Sequence, residues 1–424
     1  PHGLQAISSK HSAIANFLTF AFFILSNSSF NLLLLSIYVL LSLPSLLLII
    51  LPSEMLNIFL APFNSLLKLL SFALLSSLLL LALIKREPSY LQAHYSLAEL
   101  NTSTEAKTHI TELKKRLSSS LTATEQQMIY HSLALNHEHI GDYEQAFSYF
   151  RDSKLAIKHQ INYEASKHQI FCQQLIALSE KIQLTAKNAD FSPIFVMGMP
   201  RSGTTLVEKI INQSTEVTGL GELNDIAQLL QSTAASKHVL DISMIEQAFQ
   251  KFTLDNPLNG YQSRCESMMT SPRSCDKQPF NFYFIDFILA AFPEAKIVCM
   301  LRDPVDSCIA NYRQLYSPHS AFHHYSYDLQ DIAHFYQDYK LLINHFQKKY
   351  PNNVMIQHYE ELVADATLQT QTLFNFCNLQ WQPSCLAFYK SNSASATASK
   401  VQIRQPLNSK SIGYWQHYQQ ACDM

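Results

Sequence analysis

Three things are scarce in this chain, and each scarcity excludes something. The first is net charge: 31 Lys and Arg against 33 Asp and Glu leave a formal −2 over 424 residues. No global basic field recruits nucleic acid, so any anion site must be built locally. The second is cysteine pairing. The eight cysteines, Cys172, Cys265, Cys275, Cys299, Cys308, Cys377, Cys385 and Cys422, form no CxxC and no even ladder. That pattern argues against a zinc site or a disulfide framework and fits reduced thiols in a cytoplasmic domain. The third is any charge at all near the start. From His11 to Ser53 there is no Asp, Glu, Lys or Arg, and from Met55 to Ile84 the only one is Lys68. Runs of this length read as an apolar N-terminal helical segment able to span a bilayer, closed by Lys85-Arg86 as a cytoplasmic-side flank. The expectation is a membrane-associated chain with its catalytic domain in the cytoplasm, and otherwise a cytoplasmic one. A buried helical array is the alternative, but it needs a polar stripe where this run has isolated Ser and Asn.

What is present divides the chain into three. Residues 1–86 form the apolar Leu/Ser-rich segment with candidate transmembrane helices. Residues 87–187 read as helical. Within them Gly141-Asp-Tyr-Glu-Gln-Ala-Phe-Ser-Tyr-Phe-Arg-Asp-Ser153 has Gly, Tyr, Ala, Phe and a small residue at a spacing that lets two antiparallel helices pack. It resembles a tetratricopeptide repeat, with Pro88–Leu97 a weaker echo, and a plain helical linker is the alternative. Residues 190–424 are an α/β domain.

That domain is organised around Pro193-Ile-Phe-Val-Met-Gly-Met-Pro-Arg-Ser-Gly-Thr-Thr-Leu206, which reads as strand, loop, helix. Gly198 and Gly203 bracket four residues before Thr204 and Thr205, so backbone N–H groups can curl around an anion at the positive end of a helix. Thr204 stands where a Walker loop has its Lys, and Arg201 supplies a cation from inside the loop instead. Two further strand signals, Lys296–Leu301 and Val354–Tyr359, are separated by helical stretches. The fold class is therefore α/β: a phosphate-loop parallel sheet with flanking helices, preceded by an all-α repeat-like region and the apolar segment. Ligands of such sheets bind at the strands' carboxyl ends, here marked by Arg201, Arg302-Asp303-Pro304 and Tyr359-Glu360.

Taken in order, Pro200-Arg-Ser-Gly-Thr-Thr-Leu206, Gly221-Glu222-Leu223, Asp276-Lys277-Gln-Pro279, Leu301-Arg-Asp-Pro304, Tyr359-Glu360, and Gln402-Ile-Arg-Gln-Pro406 followed by Trp415 resemble the PAPS-dependent sulfotransferases. The closest likeness is to the bacterial type that joins tetratricopeptide repeats to a domain similar to tyrosylprotein sulfotransferase. The resemblance implies a sulfotransferase fold and in-line transfer of a sulfuryl group from PAPS to an acceptor hydroxyl, with no metal. It implies that Arg201, Ser202, Gly203, Thr204 and Thr205 hold the 5′-phosphosulfate, that Glu222 is the base, and that Lys277 steadies the leaving oxygen. Arg302 would grip the 3′-phosphate and Tyr359 would line the nucleotide pocket. Ser399 would lie at the reacting group, and Arg404 in a loop covering the nucleotide.

The chain departs from the family at Ala310, where a serine is usual eight residues after the arginine, leaving Ser307 and Asn311 as nearby polar side chains. It departs again at Tyr414, where the family has Lys or Arg. Cys275 stands where secreted relatives have a disulfide cysteine, but no partner cysteine lies beside Glu222. His319, His323 and His324 lack a carboxylate at ligand spacing. Two rival readings are a phosphate-loop kinase or NTPase, opposed by the missing loop Lys, and a repeat-based binding protein with a degenerate transferase domain. The expected partners are an acceptor bearing a hydroxyl on a peptide, glycan or small molecule, a protein on the helical repeats, and a membrane. Acceptor choice would live in the loops Thr218–Ala235 and Tyr312–Tyr327.

Overall fold

The computed structural model describes residues 72–117, 120–181, 191–238, 240–252, 258–390 and 407–421. They fall into two compact units, residues 1–153 and 154–424.

The first unit is helical: α1 (Phe72–Arg86), α2 (Leu91–Leu100), α3 (Ser103–Arg116), α4 (Ala123–His139) and most of α5 (Tyr143–Lys158). The helix starts are chemically marked. Thr102 with Glu105, and Thr122 with Glu125, form capping boxes that satisfy donors the first turn would otherwise leave bare. Between α4 and α5 the chain reverses at Gly141, with φ of 78°, while Asp142 N donates back to His137 O over 3.0 Å. Only a residue without Cβ takes that conformation at little cost. Ala146, Phe150 and Ser153, picked out by their spacing, are all fully buried, and Ser153 Oγ donates to Gln127 O over 2.9 Å. The apolar centre is Ile110, Leu113, Ile129 and Leu133. Beside it His94 and His109 stack and share a 3.0 Å hydrogen bond, and burial holds the His109 imidazole down to about 4.

The expectation of membrane-spanning helices is corrected by the structure where it describes the chain. No helix among the described residues is long and apolar enough to cross a membrane. Helix α1 carries the end of the apolar run and has 15 residues, with Lys85 and Arg86 in its last turn. The run before Phe72 lies outside the described residues.

In the second unit α6 (Ala165–Lys181) precedes a parallel five-stranded sheet of order β2-β3-β1-β4-β5. Its strands are β1 (Ile194–Gly198), β2 (Val217–Gly221), β3 (Arg273–Asp276), β4 (Lys296–Leu301) and β5 (Val354–His358). Every residue of β1 is buried, as a central strand covered on both faces requires. The helices are α7 (Thr204–Ile211), α8 (Asp225–Ala234), α9 (Ile242–Phe252), α10 (Asn259–Met268), α11 (Ile285–Ala291), α12 (Pro304–Tyr312), α13 (Leu329–Lys349), α14 (Tyr359–Ala364) and α15 (Ala366–Phe376). On one face Ile194, Val196, Val298 and Met300 pack against Val207, Ile210, Leu373 and Phe374. At about 1.5–3 kcal/mol for each large apolar side chain buried, this layer holds α7 and its preceding loop in place. On the other face the tyrosines of α13 cap strand carbonyls, Tyr339 OH donating to Met300 O and Tyr336 OH to Arg302 O, each over 2.7 Å. His168 of α6 bridges Asp338 and Tyr283 at 2.7 Å each, with Cys172 beside it. His168, Cys172 and Asp338 bring metal-binding types of atom within 4.8 Å of one another. Both imidazole nitrogens are already hydrogen-bonded, so the cluster reads as a structural clasp between α6 and α13.

Candidate functional site

Five strand ends converge on one edge of the sheet. At the first, β1 gives way to a loop whose shape two glycines permit. A Cβ at Gly198 would lie 3.0 Å from the Met300 carbonyl oxygen, and one at Gly203, with φ of 102°, would lie 2.7 Å from the Tyr359 ring. Neither position tolerates a side chain without moving its neighbour. Arg201 between them takes φ of 68°, a conformation L residues rarely adopt. Ser202, Thr204 and Thr205 are buried at the start of α7.

At the β2 and β3 ends, Lys277 N donates to Gly221 O over 2.7 Å and extends the strand pairing by one step. That step sets Glu222 and Lys277 side by side, and Lys277 Nζ donates to Glu222 Oε1. Lys277 is almost fully buried, whereas the Glu222 side chain is 45% exposed. A buried cation needs its partners, and Glu208 of α7 adds a second carboxylate nearby. Burial raises the Glu208 carboxyl, while Lys277 and Lys209 pull it down.

Asp276 is the buttress beneath this pair. Its carboxylate accepts from Tyr261 OH at 3.0 Å, and from Leu223 N and Asn281 Nδ2 at 3.4 Å. Burial pushes its carboxyl up to about 7, against the bonds from Tyr261 and Leu223. A carboxyl raised from an ordinary 3.8 to about 7 stabilises the fold most below pH 4, and that contribution is lost as pH rises through 7. Asp276→Asn is therefore expected to flatten the dependence of the unfolding free energy on pH between about 4 and 7, by up to ~4 kcal/mol across the window, as read from denaturant unfolding at each pH. An unchanged slope would mean that Asp276 is ionised throughout.

At the β4 end Arg302 is enclosed. Its Nη1 donates to Arg201 O over 3.1 Å, its Nη2 donates to Ser411 O and lies 3.7 Å from Asp306 Oδ2, and its plane sits 5.1 Å over the Tyr359 ring. The ion pair chosen is Asp306. Asp303 instead caps α12, accepting from the Val305 and Asp306 amides at 2.9 Å. Asp306 also accepts from Gly413 N at 2.7 Å and Trp415 N at 3.0 Å, so it ties down the C-terminal segment. Tyr359 OH, at the β5 end, shares a 2.8 Å hydrogen bond with Ser411 Oγ.

The structure thus brings Arg201, Ser202, Gly203, Thr204, Thr205, Glu222, Lys277, Arg302 and Tyr359 to one edge. Ser399 and Arg404 lie outside the described residues. Three buried polar atoms around the loop have no partner: Ser202 Oγ, Arg302 Nε and Ser307 Oγ. Asn311 is not another, since its Nδ2 donates to Pro200 O and Ser307 O and its Oδ1 accepts from Tyr325 OH. Donors orphaned beside a helix start fit an anionic, phosphate-like ligand. In the histidine cluster, His323 stacks on Tyr316 and bonds Ser320, while His324 bonds the Pro318 carbonyl. Sequence reasoning gave no role to Tyr316 or Ser411, and quoted Asp276 only as the first residue of a motif; Asp306, one helical turn beyond Arg302, was readable as an ion-pair partner for it.

Residues 193–383 match the family model described as the sulfotransferase family. An uncharacterized protein of Aquifex aeolicus (strain VF5) is 29% identical over 290 residues, covering 66% of this chain and 38% of that protein. Protein-tyrosine sulfotransferase A of Caenorhabditis elegans is 24% identical over 257 residues, covering 55% of this chain and 65% of the nematode protein. The match therefore spans less than two thirds of either relative. The sulfotransferase domain of the Synechococcus PCC 7002 olefin synthase superposes with a TM-score of 0.40 at 14% identity, over 55% of this chain and 91% of that domain. The resemblance first drawn from the motifs stands: residues 193–383 match the sulfotransferase family, and the chain shows homology to the protein-tyrosine sulfotransferases.

Proposed function

We propose that this chain transfers a sulfuryl group from PAPS to an acceptor hydroxyl. The observation that carries the reading is the meeting of Glu222 and Lys277 from two strand ends, beside a loop with orphaned buried donors. PAPS supplies the activated sulfuryl group when bound. The Arg201–Thr205 loop would hold its 5′ end, where Arg201 and the amides of α7 oppose negative charge. Arg302 Nε and Ser307 Oγ would serve the 3′ end, a role Ala310 has no polar atom to share. Glu222 would take the proton of the acceptor hydroxyl at Oε2, the oxygen that Lys277 leaves available. Lys277, buried and close to both carboxylates, would stabilise charge on the departing oxygen. The helical first unit would carry tetratricopeptide-like repeats that engage a protein partner.

Adenosine 3′,5′-bisphosphate is expected to bind the chain without divalent metal, and Arg201→Ala to weaken it by ~2–4 kcal/mol, the cost of one charge-assisted contact in a desolvated site. Calorimetry with and without Mg²⁺ decides. Indifference to the bisphosphate together with Mg²⁺-dependent ATP binding would replace this reading with that of a nucleotide kinase or NTPase.

A further inference from the structure

Lys154 is buried, 1% exposed, near the end of α5. Among the described residues no carboxylate pairs with it. Its Nζ donates to Gln314 O over 2.8 Å and lies 4.9 Å from the centre of the Tyr327 ring and 5.7 Å from that of Tyr312. Burial brings its ammonium down to about 7. Burying a cation against a single carbonyl and two ring faces is costly, and an apolar side chain of similar length would fill the space more cheaply. The core gains nothing obvious from the charge, so the value of Lys154 must lie in what it holds.

It holds the segment after α12. Lys154 fixes the Gln314 carbonyl, and Tyr327 OH donates to the Tyr316 carbonyl over 2.7 Å, so two buried donors pin positions two residues apart. Gln314 N donates to Asn311 O, closing the third side. The side chain so positioned is Tyr316. Its ring stacks on His323 with centroids 4.3 Å apart, His323 meets the Phe280 ring edge-on at 5.1 Å, and Phe280 stacks on Phe322 at 4.9 Å. Tyr316 OH donates to Asn311 Oδ1 over 3.4 Å, and Asn311 Nδ2 donates to Pro200 O over 2.8 Å, so this aromatic wall adjoins the loop that carries Arg201.

We propose that Lys154 is a positioning residue for the acceptor: with Tyr327 it pins the Gln314–Tyr316 backbone and so sets the aromatic wall that receives the acceptor beside Glu222. The inference rests on the transferase reading of the site. Lys154 touches neither reacting group and acts through Tyr316.

The test uses the full chain with two variants, Lys154→Met and Tyr327→Phe, which remove the two pins separately. Three quantities are read: amide hydrogen exchange across residues 312–318, the Kd for adenosine 3′,5′-bisphosphate, and the KM for 4-nitrophenol as acceptor probe with PAPS. Each variant is expected to speed exchange in the segment about tenfold and to raise the acceptor KM about tenfold, with the bisphosphate Kd within about twofold of the unaltered chain. Exchange unchanged in both variants overturns the proposal, as does faster exchange with an unchanged acceptor KM. So does a parallel loss of exchange protection throughout the sheet, which would make Lys154 a general stabiliser. If the unaltered chain neither binds the bisphosphate nor transfers to the phenol, the transferase reading itself fails. The exchange at 312–318 then decides alone whether Lys154 is the pin.

Discussion

Glu222→Gln is expected to bind adenosine 3′,5′-bisphosphate as tightly as the unaltered chain and to transfer sulfuryl groups a hundredfold or more slowly, about the contribution of a positioned general base. The geometry makes the variant clean. Glutamine keeps a carbonyl oxygen where Glu222 Oε1 accepts from Lys277, so the buried ammonium does not lose its partner. Asp276 still ties down the Leu223 amide, so the turn after β2 keeps its shape. What glutamine cannot do is accept a proton. Single-turnover rates beside equilibrium titration separate the two roles, and proportional loss of binding and rate would make Glu222 a structural partner of Lys277 only.

Arg302→Ala is expected to weaken the bisphosphate about a hundredfold, since the guanidinium would contribute a charge-assisted contact of roughly 1.5–3 kcal/mol and also organises what surrounds it. Two backbone carbonyls, Arg201 O and Ser411 O, lose a donor, and Asp306 loses its cation. The C-terminal segment should therefore loosen, although Asp306 still holds the Gly413 and Trp415 amides. Arg302→Lys separates charge from shape. An ammonium keeps the charge but cannot reach two carbonyls and stack on Tyr359 in one plane, so it should recover only part of the affinity. Full recovery by lysine would mean that the fork geometry is irrelevant. Adenosine 5′-phosphosulfate, which lacks the 3′-phosphate, is the control: equal losses for both ligands would place Arg302 away from the 3′ end.

Much of the site was legible before any coordinates. Strand β4 falls on the stretch Lys296–Leu301 read from its apolar run, β5 ends one residue short of the expected Tyr359, and β1 opens the stretch read as strand, loop and helix. Strands β1 and β4 are buried on both faces, and continuous hydrophobicity is their local signature, whereas the edge strand β5 is only partly buried and shows its apolar run at Val354-Met-Ile356 alone. Strands β2 and β3 were not read. Val217-Thr-Gly-Leu-Gly221 and Arg273-Ser-Cys-Asp276 are short and polar or glycine-rich, and they become strands only because β1 offers an edge for β3, and β3 in turn for β2. The loop Arg201–Thr205 was legible because its chemistry is local: glycines at two close approaches and a helix start immediately after.

By itself, the sequence determined the residue types at the strand ends, the helix starts marked by Thr102 and Thr122, and the reversal at Gly141, all set by side chains within a few positions of one another. Only the tertiary structure decided which of those residues meet. That Glu222 and Lys277 pair across 55 residues follows from the bond between Lys277 N and Gly221 O. That Arg302 is enclosed by Ser411, and that Lys154 reaches Gln314 across 160 residues, follows from segments far apart in the chain being folded against one another. Such pairings leave no periodic trace in a sequence, because the partners are brought together by the packing of apolar faces elsewhere and not by their own spacing.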